Sequence, residues 1–184
     1  MNKKIEYVSL FFRIIFQIIF LTLPVVIIIG WINIPESLHL FDGAINIRII
    51  PEEYSSAIVH LLSVEERLLG FAVSLIPLSI DLLILYFLIK LFHLYEAGEV
   101  FSIQNVNYIR NIGYSLLLRQ LLSPVYEFLM GFVLTSHNPA GLRFASITFD
   151  QTNFGILLTA LLVILISWIM AEGCRLREEQ QLTI

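Results

Sequence analysis

Residues 68–92 read LLGFAVSLIPLSIDLLILYFLIKLF, 25 residues with only two charges, Asp81 and Lys90. As an α-helix rising ~1.5 Å per residue, the stretch covers about 37 Å. The hydrocarbon core of a bilayer is ~30 Å thick, so this segment is long enough to cross it. The flanks agree with a helix. Ser63 is followed three residues later by Glu66, the spacing at which side chain and backbone satisfy each other at a helix start. Gly98 is placed to end the helix in a left-handed cap. Beyond it, Ser102 is placed to cap a new helix that begins in the connection and runs on into the next apolar stretch.

Working outward, three more stretches meet the same test: about 9–32, 112–134 and 153–171. Asp150 or Thr152 is placed to cap the last of them. The first stretch follows Lys3 and Lys4, as a signal peptide does, but its apolar run is too long and no small-residue cleavage site follows it. It is read as a retained span. The whole chain of 184 residues is 58% apolar and 14% charged, with a mean hydropathy of +0.84. Soluble domains carry about 25% charged residues, so composition excludes a soluble enzyme and a disordered tail. A single cysteine, Cys174, allows no internal disulfide. With a net charge of −4, the chain has no basic face for nucleic acid. The expected fold is all-α transmembrane, a single-domain four-helix bundle with a small extracytoplasmic β-cap.

Orientation follows from the distribution of basic residues. Seven (Lys3, Lys4, Arg13, Lys90, Arg110, Arg175, Arg177) fall on the side of the termini, and three (Arg48, Arg67, Arg143) fall on the other. Both termini are therefore expected in the cytoplasm. The opposite side holds seven acids (Glu36, Asp42, Glu52, Glu53, Glu65, Glu66, Asp150), which gives it a net charge of −4 and makes it suited to cations or basic partners. Its first loop, about 33–67, suggests a hairpin: 38–41 and 44–47 flank Asp42-Gly43, which suits a two-residue type I′ turn. Pro51, with Glu52 and Glu53 behind it, opens a short helix. Alternation over 142–149 suggests a third strand, which a marginal hairpin needs.

Ionisable groups inside a span are costly and mark structure or function. Asp81 and Arg119 fall at nearly the same depth on adjacent spans, and an ion pair is the expected result. Gln120 and Glu127 are further intramembrane polar groups, with Arg67 or Arg143 the expected partner of Glu127. Arg13 and Glu172, near the inner interface, are expected to pair across spans one and four. Pro24, Pro77 and Pro124 lie at one depth and release the carbonyls of Phe20, Val73 and Gln120. Gly70/Ser74, Gly155/Thr159 and Ser167/Ala171 are spaced for close helix approach. His39, His60 and His137 fall outside, in no metal-binding spacing, and neither metal nor cofactor is expected.

The segment Tyr95-Glu96-Ala97-Gly98-Glu99-Val100-Phe101-Ser102, then Asn105 and Ile109-Arg110-Asn111-Ile112-Gly113, forms one cluster of motif residues. The ending Leu176-Arg177-Glu178-Glu179-Gln180-Gln181-Leu182-Thr183-Ile184 forms another. Together they resemble the YoaS-like bacterial four-span membrane proteins, a family of unknown function. That resemblance implies a bacterial inner-membrane protein that partners a cytoplasmic regulator, and it supplies no catalytic residues. The partner-binding candidates are Tyr95, Glu96, Glu99, Arg110, Arg175, Arg177, Glu178 and Glu179. The leading expectation is a membrane-anchored regulatory or sensor partner in contact with the lipid bilayer, without catalytic activity. The alternative is a small transporter or channel, which needs a homo-oligomer because four spans leave little room for a pore.

Overall fold

The structure, a computed structural model, describes residues 3–33, 38–40, 45–47, 62–139, 143, 145, 147 and 151–182. Helix α1 spans Lys3–Asn33, strands β1 and β2 span Leu38–Leu40 and Ile45–Ile47, and helices α2, α3 and α4 span Val64–Glu96, Ile103–Thr135 and Gln151–Leu182. All four helices are long and apolar enough to cross a membrane. Helices suit this role because each one satisfies its own backbone hydrogen bonds, which lipid cannot do.

The helices outrun the apolar stretches, and their caps explain several of the limits. The Glu66 amide donates to Ser63 Oγ at 3.2 Å, and the Ser63 amide donates back to Glu66 Oε2 at 2.8 Å. This reciprocal pair opens α2. The Asn105 amide donates to Ser102 Oγ at 3.2 Å and opens α3. Beyond the apolar stretch ending near 171, the chain continues as the last turns of α4 to Leu182, where Arg175 and Glu179 pair at 3.1 Å across one turn. The residues proposed to cap α4 lie outside the described side chains. Pro24, Pro77 and Pro124 sit inside α1, α2 and α3, which continue past them.

Strands β1 and β2 pair antiparallel, with Leu38 opposite Ile47 and Leu40 opposite Ile45. The expected three-stranded outer cap is not supported: the sheet among the described residues has two strands. Arg143, Ala145 and Ile147, from the expected third strand, take no strand conformation. Two short strands leave most of their edge groups unpaired, which is too little for an independent cap. The Asp42-Gly43 turn, the short helix after Pro51 and the remainder of 142–149 lie outside the described residues.

The chain divides into two compact units. One holds Met1–Leu21, Ser79–Leu121 and Phe149–Ile184, and is called the terminal unit below. In it Gly113 of α3 lies so close to α4 that a Cβ would sit 2.6 Å from Ile164 Cγ1 and 3.3 Å from the Ala160 carbonyl oxygen. Phe12 and Phe16 of α1 pack on Phe92 of α2, with ring centroids 5.4 and 5.5 Å apart. The other unit holds Thr22–Leu78 and Leu122–Thr148, and is called the loop unit. Its core is Trp31, Leu62, Met130 and Leu134, with Ile27, Phe71, Val73 and Tyr126 against it. Trp31 lies over Gly70, where a Cβ would fall 2.1 Å from the indole, and its Nε1 donates to Ser74 Oγ at 3.1 Å. The Gly70/Ser74 spacing therefore serves a close contact. Gly155 has open space around it, so the Gly155/Thr159 spacing does not.

Candidate functional site

Helix α2 ends in a tightly specified turn. The Gly98 amide donates to the Tyr95 carbonyl at 3.1 Å, and the Glu99 amide donates to the Leu94 carbonyl at 2.9 Å. This is the double bond pattern of a Schellman cap, and it requires the positive φ of 84° found at Gly98. Asn105, fully buried, donates its amide nitrogen to the Val100 carbonyl and so ties α3 back to the turn. Between Gly98 and Ser102 the backbone is thus held at both ends.

Against this turn lies an open cleft of about 440 Å³. Its lining combines three parts of the chain: Ile5 from the start of α1, Tyr95 and Gly98–Ser102 from the connection, and Arg177 from the end of α4. Phe101 is 66% exposed here. A large exposed aromatic beside one acid (Glu99) and one base (Arg177) is a surface composition found at interfaces. Tyr95 is positioned by an edge-on contact with Phe92, at 5.8 Å between centroids.

The cleft brings together three of the candidate residues, Tyr95, Glu99 and Arg177, and leaves the others outside its lining. Glu96 pairs instead with Arg13, at 2.6 Å, and the same guanidinium nitrogen lies 2.8 Å from His93 Nδ1. The expected Arg13–Glu172 pair does not form, because Arg13 faces the end of α2 while Glu172 is on an exposed part of α4. Arg110 donates to Asn107 Oδ1 at 2.7 Å. Arg175 and Glu179 occupy each other, and Glu178 is exposed. Ile5 was not singled out from sequence, and Phe101 entered only as part of the 95–102 motif, not as a binding candidate. Ile5 is far from the connection along the chain, and Phe101 reads there as one more apolar residue.

Deeper in the terminal unit, Arg119 Nε donates to Asp81 Oδ1 at 2.6 Å, as the matched depths predict. Beside them Gln120 is buried and its Nε2 has no partner among the described residues.

In the loop unit, Glu66 is 1% exposed. Besides closing its cap, it lies 3.0 Å from His137 Nδ1 through Oε1. The capping spacing identified Glu66, but nothing local signalled its burial. Glu127 accepts a hydrogen bond from Ser123 Oγ at 3.0 Å. Arg67 donates to the carbonyls of Leu62 and Ile32, at 3.2 and 3.3 Å, and Arg143 donates to that of Asn138 at 3.1 Å. A groove of about 360 Å³ beside Arg67 is otherwise lined by Ile28, Trp31, Ile32, Val64, Leu68 and Phe71. Among the described residues no three His, Cys, Asp or Glu side chains gather as a metal site would require.

Residues 51–184 match the family model described as Protein of unknown function (DUF2975). Comparisons with curated proteins and with solved structures each gave no match. The matched segment includes α2, α3, α4 and the connecting turn, with all of the cleft lining but Ile5. On that match, the chain belongs to the DUF2975 family, a family of unknown function with four candidate membrane helices in this member.

Proposed function

We propose that this chain is a non-catalytic membrane partner of a cytoplasmic protein, and that the cleft at the end of α2 receives that protein. One observation carries the reading. The cleft is assembled from both ends of the chain and the central connection around an exposed Phe101. A surface that gathers three distant segments and presents an aromatic with opposite charges is equipped to hold a protein segment. The excess of basic residues on this side supports a cytoplasmic location. The resemblance to YoaS-like proteins supports a bacterial inner membrane and a regulatory protein as the partner.

The transport reading lines a path with Gln120, Glu127 and the charged pair Asp81 and Arg119. Their 2.6 Å contact neutralises both charges, so the pair is less suited to an ion path than a lone carboxylate would be. The partner reading is preferred.

The test is cross-linking in native membranes, followed by affinity capture and mass spectrometry. The intact chain is compared with Phe101→Ala, Arg177→Glu and a chain ending at Cys174. The reading expects one cytoplasmic protein captured by the intact chain and lost, or reduced about tenfold, in each variant, as for an interface centred on a few residues. Equal capture by all four chains would refute it.

A further inference from the structure

Arg67 is the residue just before the apolar run 68–92, and Ile32 closes the apolar run that begins near residue 9. The groove beside Arg67 therefore has its mouth where hydrocarbon gives way to headgroups. Its walls are built for lipid. Val64 and Leu68, one turn apart on α2, are 75% and 64% exposed, and Ile28 and Ile32, one turn apart on α1, are 44% and 65% exposed. Phe71 and the buried Trp31 complete an apolar lining of about 360 Å³, to which Arg67 brings the one charge. That charge is held in place. The guanidinium Nε donates to the Leu62 carbonyl and Nη1 to the Ile32 carbonyl, so the group bridges the start of α2 and the end of α1. Two carbonyls occupy two donors but leave the positive charge unmatched. Among the described residues no carboxylate pairs with Arg67, since the adjacent Glu66 turns to His137, and Nη2 has no hydrogen bond.

We propose that the groove binds an anionic phospholipid, with one acyl chain between α1 and α2 and its phosphate on Arg67. The phosphate supplies the missing negative charge and accepts from the unused guanidinium N–H groups. The chain covers an apolar surface that water would otherwise meet at the mouth. A zwitterionic lipid carries its own cation beside the phosphate and so gains less from Arg67, which makes the site selective for net negative headgroups. The site lies wholly in the loop unit, and it stands whether or not the cleft receives a protein.

Trp31 lines the groove and serves as its reporter. Trp168 is the other tryptophan, so the test uses the full chain in a Trp168→Phe background, reconstituted in phosphatidylcholine vesicles. Trp31 fluorescence is followed as phosphatidylglycerol or phosphatidylcholine, each brominated in the acyl chain, replaces the host lipid. Half-quenching is expected at an about fivefold lower mole fraction of the brominated phosphatidylglycerol, the preference that one arginine near a headgroup gives. Arg67→Gln is expected to bring the two lipids level, and Arg67→Lys to keep part of the difference. Val64→Phe with Leu68→Phe crowds the groove, leaves Arg67 untouched and should also weaken quenching by the phosphatidylglycerol. Equal quenching by the two lipids in the unaltered chain, or a preference that survives Arg67→Gln, would overturn the proposal. So would loss of the preference in excess inorganic phosphate, which would assign Arg67 to a free anion. Absence of quenching by either lipid would place a protein segment in the groove instead.

Discussion

Glu66 illustrates how much a single side chain can hold in place. One carboxylate oxygen receives the Ser63 amide and the other meets His137, in a site almost closed to solvent. Glu66→Ala removes both contacts and is expected to lower stability by about 2 kcal/mol, the sum expected for a lost cap and a buried polar contact. Glu66→Gln retains an acceptor for the cap and should lose less. Thermal unfolding of the purified chain in detergent compares the two, and equal losses would show that the cap contributes little. Gly70 makes a second case. A Cβ there would fall 2.1 Å from Trp31, which is 4% exposed and cannot swing away freely. Gly70→Ala is therefore expected to cost about 1–3 kcal/mol through overpacking and to shift Trp31 fluorescence to the red. An unchanged spectrum would mean that the two helices part without loss. The local contacts of both sites were legible in sequence, Glu66 from its distance to Ser63 and Gly70 from its distance to Ser74. Their long-range partners, His137 and Trp31, were not, because those depend on how helices rotate against one another.

At the scale of elements, the helix ends are where the sequence speaks most clearly. Ser63, Gly98 and Ser102 each carry a local hydrogen-bonding or conformational requirement, and the structure uses all three in that way. The turn between α2 and α3 is expected to loosen when either of its caps is removed. Gly98→Ala forces a Cβ into the left-handed region and should cost about 1 kcal/mol, and Ser102→Ala should cost a similar amount. Hydrogen exchange across 97–106 reads this directly, with faster exchange expected in both variants and faster still in the double variant. Exchange equal to that of the unaltered chain would show the turn to be held by other contacts. Helix faces are far less legible than helix ends. In lipid, a packed face and a lipid-facing face are both apolar, so hydropathy does not tell them apart. That is why Arg13 was assigned to Glu172 when it meets Glu96, and why the close approach of Gly113 to Ile164 falls outside every small-residue spacing noted in the sequence. Asp81 and Arg119 escaped this difficulty because polar groups in an apolar helix have few partners at their own depth.

For the molecule as a whole, charge distribution gives the sharpest expectation. Seven basic residues on the side of the termini against three on the other predict that reporters fused at residue 1 and residue 184 both show cytoplasmic activity. A reporter inserted at Gly43 should show the opposite side. A periplasmic signal from either terminus would overturn the orientation and move the cleft away from any cytoplasmic partner. The four-span count was legible because length and hydropathy fix it, and the cleft was not, because it requires three remote segments to converge.

One consequence of the Gly113 seat concerns α4 as a lever. The helix rests against α3 with no intervening side chain at Gly113, and thirteen residues further on it ends the cleft at Arg177. Over that distance of about 20 Å, a tilt of about 10° about the seat carries Arg177 some 3 Å, at the rise of an ordinary helix. Such a seat would act as a fulcrum, and a change small enough to pass unnoticed within the membrane would be multiplied at the surface where the proposed partner would bind.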